Sequence, residues 1–156
     1  MLRSILLGIV AGARSMTPLA IVANAARTGT LPRDDNAPHL LSHPLASAGA
    51  TALAVYEMVG DKQKSAPDRI IPPAVIVRSL NAAFAGMVLA PRRERFAAAA
   101  VTGATAVLAS YATFGARKWA MRRFGRVASG FVEDTIVLSA AIAAARAPMP
   151  KVFATA

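Results

Sequence analysis

The sequence predicts an all-α, polytopic membrane protein of about five transmembrane helices, and three observations predict it. Apolar residues make up 55% of the 156 residues and charged ones only 17%, giving a mean hydropathy of +0.45, above that of an ordinary soluble domain. Several apolar runs approach the ~20 residues needed to span a bilayer. Lys and Arg gather between those runs rather than along one polar helix face. The chain is read as one helical transmembrane domain, 1–156. Much of the apolar content is alanine, so hydropathy alone does not decide against a soluble Ala-rich bundle. Ala and Gly also suit transmembrane helices, because small residues let backbones approach closely where no hydrophobic force draws helices together.

The net charge of +10 and pI near 11.5 raise the question of nucleic acid. Aromatics are scarce and the cations flank apolar segments, a distribution that suits loops meeting anionic lipid. No nucleic-acid partner is expected. The absence of cysteine excludes disulfides and thiolate chemistry.

Helix one is predicted over 2–26, kinked or re-entrant between Arg14 and Pro18. Proline cannot donate a backbone hydrogen bond to the residue four before it, which here is Arg14, and Thr17 before it is pushed from helical geometry. Gly8 and Gly12 form a Gly-x-x-x-Gly surface for close backbone approach. Arg3, a short apolar stretch and Ala11-Gly12-Ala13 also resemble a signal peptide with its cleavage site. The apolar run continues to Ala25, however, and favours a retained helix.

The connection 27–44 holds His39 and His43, whose spacing would put two imidazoles on one helix face. Pro38 and Pro44 leave little room for that helix, so no metal and no cofactor are expected. Helix two follows at 45–60, with Tyr56 as an interfacial anchor, and a charged connection at 61–69. Helix three, 72–90, opens on Pro72-Pro73, which the unpaired first turn tolerates. Helix four, 96–115, is almost entirely small residues. The segment 116–126 reads as a basic stretch at the membrane surface, with Arg117, Lys118, Arg122, Arg123 and Arg126 meeting anionic head groups. Helix five is predicted at 129–146. Gly49-Ala50-Thr51-Ala52-Leu53 recurs as Gly103-Ala104-Thr105-Ala106-Val107, and Arg14-Ser15 echoes Arg78-Ser79, which suggests an internal two-helix repeat.

Five spans put the N-terminus, 61–69 and 116–126 on one side. Nine Lys and Arg fall there and seven on the other, so the positive-inside rule places the N-terminus in the cytoplasm. The unusual charges converge toward the same side. Glu57 ends helix two, Arg78 is two turns into helix three, Glu133 and Asp134 begin helix five, and Arg14 lies about 18 Å along helix one at 1.5 Å per residue. Charges within spans normally face the bundle interior and pair. The expected pairs are Arg14 with Glu57 or Glu133, and Arg78 with Asp134. The candidate solute-binding residues are therefore Arg14, Ser15, Glu57, Arg78, Glu133 and Asp134. The competing reading is that these charges only snorkel or fix packing.

The pattern Gly8-x3-Gly12-Ala13-Arg14-Ser15-x2-Pro18, then Gly60-Asp61-Lys62, Pro67-x-Arg69, Arg78 and Glu133-Asp134, resembles the domain-of-unknown-function family four-one-two-six of small bacterial inner-membrane proteins. The resemblance runs from about residue 3 to 146. It implies a helical, multi-pass inner-membrane protein and carries no catalytic residue, ligand or activity with it.

Two functions are weighed. One is a small-solute or ion permease or channel, oligomeric because so few helices make a narrow pathway. The other is an accessory subunit packing through Ala and Gly faces into a larger membrane complex. An enzyme is not expected: no Ser/His/Asp set, metal cluster or phosphate loop is present.

Overall fold

The computed structural model describes residues 2–31, 37–60 and 70–146. Its helices are α1 (Leu2–Ala13), α2 (Thr17–Arg27), α3 (Pro44–Gly60), α4 (Pro72–Leu89), α5 (Arg95–Phe124) and α6 (Arg126–Arg146), with a 3₁₀ turn at His39–Ser42. No strand occurs among the described residues. Helices in α4, α5 and α6 are long and apolar enough to cross a membrane.

Neighbouring contacts give each helix its direction. Gly8 backs onto Thr102 and Thr105, and Gly12 onto Ala109 and Ser110, so α1 runs parallel to α5. The chain then turns back. Ile21 of α2 packs beside Val10 and Val137, and Val22 shares a cluster with Leu7 and Val88, so α2 returns along the path that α1 climbed. Asn24 meets Thr51 while Ser15 and Met16 meet Glu57, which makes α3 antiparallel to α2. Helix α4 descends against α1 and α5, and α6 descends again after a tight turn at Gly125, whose φ of 82° suits glycine.

The bundle therefore has two ends. The Gly125 end gathers the end of α3, the start of α4, the end of α5 and the start of α6. The Pro91 end gathers Leu2, Arg27, Pro44, Leu89 and Arg95. This corrects the placement of the N-terminus beside 61–69 and 116–126. Because the chain doubles back at residues 14–16, Leu2 lies at the opposite end. Arg3 therefore leaves the side to which it was counted, and the charge argument for a cytoplasmic N-terminus loses its margin.

A second difference concerns 116–124, expected as a surface connection and found as the last turns of α5. Ala, Arg, Lys and Met are strong helix formers, and no breaker occurs before Gly125. His43 also resolves: its Nδ1 accepts the Leu45 N–H at 3.2 Å, so it serves the start of α3.

The packing is small inside and large outside. Ala11, Ala82 and Ala106 form one buried cluster, and Ala20, Ala23, Ala50 and Ala54 another. Leu53, Leu80, Leu108, Phe131 and Ile136 are exposed. A water-facing bundle would bury those residues first; large apolar side chains left exposed on α3, α4, α5 and α6 mark membrane or partner faces. Small residues at the helix contacts and large ones outward is the arrangement expected when lipid is the solvent.

Candidate functional site: a charge network at a broken helix

The site begins with missing backbone hydrogen bonds. The last bond closing α1 is Arg14 N–H to the Val10 carbonyl at 2.8 Å, and helical bonding resumes with Ala20 N–H to Met16 O at 3.0 Å. Pro18, in the first turn of α2, has no N–H to give Arg14. Between those points Ser15 N–H, Met16 N–H and the Gly12 carbonyl lose their helical partners, and buried groups of this kind must be satisfied.

Charged side chains take their place. Glu57 accepts Ser15 N–H at Oε1 (2.7 Å) and Met16 N–H at Oε2 (2.8 Å). Arg78 Nη1 donates to the Gly12 carbonyl at 3.0 Å, and Thr113 Oγ1 donates to the same oxygen at 3.3 Å. The two ions also face each other, with Arg78 Nη2 3.7 Å from Glu57 Oε1. An unbroken helix would bond Met16 N–H to Gly12 C=O; here an ion pair stands in that gap, one member on each orphan. Polarity agrees with this arrangement: the N-terminus of α2 is partly positive and receives the carboxylate, and the C-terminus of α1 is partly negative and receives the guanidinium.

Arg14 completes the network on the other flank. Its Nε donates to Asp134 Oδ1 at 2.9 Å, its Nη2 contacts the same oxygen, and Nη2 lies 3.8 Å from Glu133 Oε2. Glu133 in turn accepts from Arg117 Nη1. Asn81 Nδ2 lies within 3.5 Å of Ser15 Oγ, holding the break from α4. Three guanidiniums thus meet three carboxylates, and the formal charge of the set is zero. Arg14 is fully buried, while the carboxylates of Glu57, Glu133 and Asp134 keep about 15% side-chain exposure. Pairing and hydrogen bonding are what make buried charge tolerable.

All six expected site residues, Arg14, Ser15, Glu57, Arg78, Glu133 and Asp134, come together at the break. Of the expected pairs Arg14 meets Glu133 at 3.8 Å, but its hydrogen bonds go to Asp134, and Arg78 goes to Glu57, because α6 packs against α1 while Glu57 and Arg78 both reach the break itself. Arg117, grouped in the sequence with the surface cations, is turned inward and buried. Helical period could have found it. Thr102, Ala106, Ala109, Thr113 and Arg117 share the inner face of α5, while Lys118, Arg122 and Arg123 face outward. The Arg126 side chain and residues 61–69, with Asp61, Lys62, Pro67 and Arg69 of the sequence pattern, lie outside the described residues.

A broken helix whose ends meet a balanced set of ions, inside a bundle with an apolar exterior, has the make-up of a helical membrane protein. The family model described as Domain of unknown function (DUF4126) matches residues 1–156, and the chain belongs to that family. No curated protein and no solved structure matches the chain.

Proposed function

We propose that the protein is a small-solute or ion permease or channel of the bacterial inner membrane, acting as an oligomer, with the Arg–carboxylate network as its closed polar pathway. The observation that carries this reading is the discontinuous helix: its broken ends meet Glu57 of α3 and Arg78 of α4, and Arg14 beside the break meets Asp134 of α6. Discontinuous helices whose termini face ions or substrate are a recurrent device of transporters. In this reading α3 to α6 cross the bilayer and the α1–α2 hairpin re-enters it. Legs of 12 and 11 residues reach only about 18 and 16 Å, short of the ~30 Å hydrocarbon core. Conduction requires parting Arg14 from Asp134, which a shift of the hairpin against α6 would do.

The test is flux in liposomes. Arg14→Ala is a poor probe, because it takes the guanidinium from the Asp134 carboxylate and unbalances the network. The double variant R14Q/D134N removes one charge of each sign and keeps the network neutral. Wild-type vesicles are expected to pass small ions or solutes and the double variant to lose that flux while keeping its fold. Full flux through the variant overturns the role of the network.

One observation favours a second reading, an accessory subunit of a larger membrane complex without transport. Arg14 is wholly buried and balanced by partners within the chain, so its presence requires no guest. Silent wild-type vesicles together with a stoichiometric partner retained in mild detergent would move the assignment there. Neither reading asks for catalysis.

A further inference from the structure

Between α1, α5 and α6 lies a crevice of about 320 Å³, running along α6 from Ser129 to Ala140 and walled mainly by apolar side chains. We infer that this crevice holds one acyl chain of an anionic phospholipid, with the lipid phosphate bound by Arg123 at its mouth. The inference needs the membrane setting and is independent of transport.

Length selects the occupant. The twelve residues from Ser129 to Ala140 are eleven steps apart end to end, about 16 Å at 1.5 Å per residue, close to half of a ~30 Å hydrocarbon core. That is one leaflet, the depth of a single lipid tail. Lining supports the same occupant: Val132, Ile136 and Val137 of α6 face Ala116 and Ala120 of α5, and this part offers a hydrocarbon tail little polar competition. Thr113, Ser129 and the Arg117–Glu133 pair also line it, and that pair is internally neutral.

Charge selects the head group. Thr113, Ala116, Ala120 and Arg123 follow at three, four and three residues and therefore lie along one stripe of α5. Arg123 is exposed one turn beyond the crevice, about 4.5 Å further along the axis. Arg122 and Lys118 are exposed nearby, and Trp119 packs edge-on to Phe124 at 6.2 Å, an aromatic pair of the kind that sits at head-group depth.

The experiment equilibrates the full-length protein in mixed micelles of phosphatidylglycerol and phosphatidylcholine and reads retained lipid by native mass spectrometry. Wild type is expected to retain one phospholipid and to prefer phosphatidylglycerol. Arg123→Gln should reduce that preference by about fivefold, the scale of one basic residue at an anionic surface, while a lipid is still retained. Val132→Trp fills the crevice from an exposed position and should release both lipids. Leu138→Trp, exposed elsewhere on α6, should release neither and controls for folding. Undiminished lipid on Val132→Trp overturns the inference, and so does equal preference for the two lipids in wild type. A dimer lost in Val132→Trp would give the crevice to a second copy and overturn it equally.

Discussion

Glu57 concentrates three interactions in one side chain, two backbone N–H bonds and the pair with Arg78. Glu57→Ala should therefore lower stability by about 3 kcal/mol, the scale of breaking a buried pair and leaving its partner uncompensated. Glu57→Gln keeps an acceptor for one amide and should cost less, so the two variants should melt in that order in detergent. Arg14 and Asp134 should show strong coupling. R14Q and D134N alone each strand a charge, whereas the double variant strands neither, and a double-mutant cycle should return about 1–3 kcal/mol of interaction. Full additivity would mean the two do not meet. The five charged site residues were legible because a charge inside an apolar run is costly enough to stand out, and Ser15 because it adjoins one. The partner choice was only partly legible: Arg14 does meet Glu133, but its stronger contact with Asp134 and that of Arg78 with Glu57 depend on which helix lies beside which. Arg117 was hidden by its neighbours: four further cations within nine residues made it look like part of a solvated surface.

At the level of elements, contact between α1, α4 and α5 is set by glycines. A Cβ on Gly12 would sit 2.5 Å from Ala109 Cβ and 2.7 Å from Ala109 C, and one on Gly86 would sit 2.9 Å from the Ala98 carbonyl. Neither helix can yield without moving backbone. Gly12→Ala and Gly86→Ala should each cost on the order of 1–3 kcal/mol, as overpacking does. Gly49 and Gly115 have nothing within 4 Å, and alanine there should gain up to about 1 kcal/mol through helix propensity. Thermal denaturation of the four variants should sort them into two groups. The helix positions were readable from proline, charge and run length. The end of α5 was not, because a basic amphipathic helix and a basic loop share the same residues until glycine stops them. The Gly8/Gly12 spacing was visible too, but its partner on α5 was not, since small residues occur on nearly every helix here.

For the whole molecule, the doubling back at residues 14–16 fixes which segments share a side. Leu2 and His43 belong to the Pro91 end and Phe124 to the Gly125 end. The chain has no cysteine, so single-cysteine variants report cleanly. Leu2→Cys and His43→Cys should react with an impermeant reagent from the same face of sealed vesicles, and Phe124→Cys only from the other. Leu2 reacting together with Phe124 would mean that helix one crosses completely. Topology was the least legible level: one break, read as a kink or as a reversal, inverts the position of the N-terminus, and nothing local in the sequence chooses between them.

The network also imposes an order on synthesis. Arg14 emerges near the start of the chain, and its partner Asp134 lies 120 residues later. At ~5–20 residues per second, the guanidinium waits about 6–24 s for its carboxylate. During that interval an apolar hairpin carries a cation that lacks its Asp134 contact, and bilayer depth penalises it. The hairpin must be held by the insertion machinery or rest at the head groups until α6 arrives. In chains stopped before residue 134 the hairpin should therefore stay open to proteolysis, and in chains extended past it the hairpin should be protected.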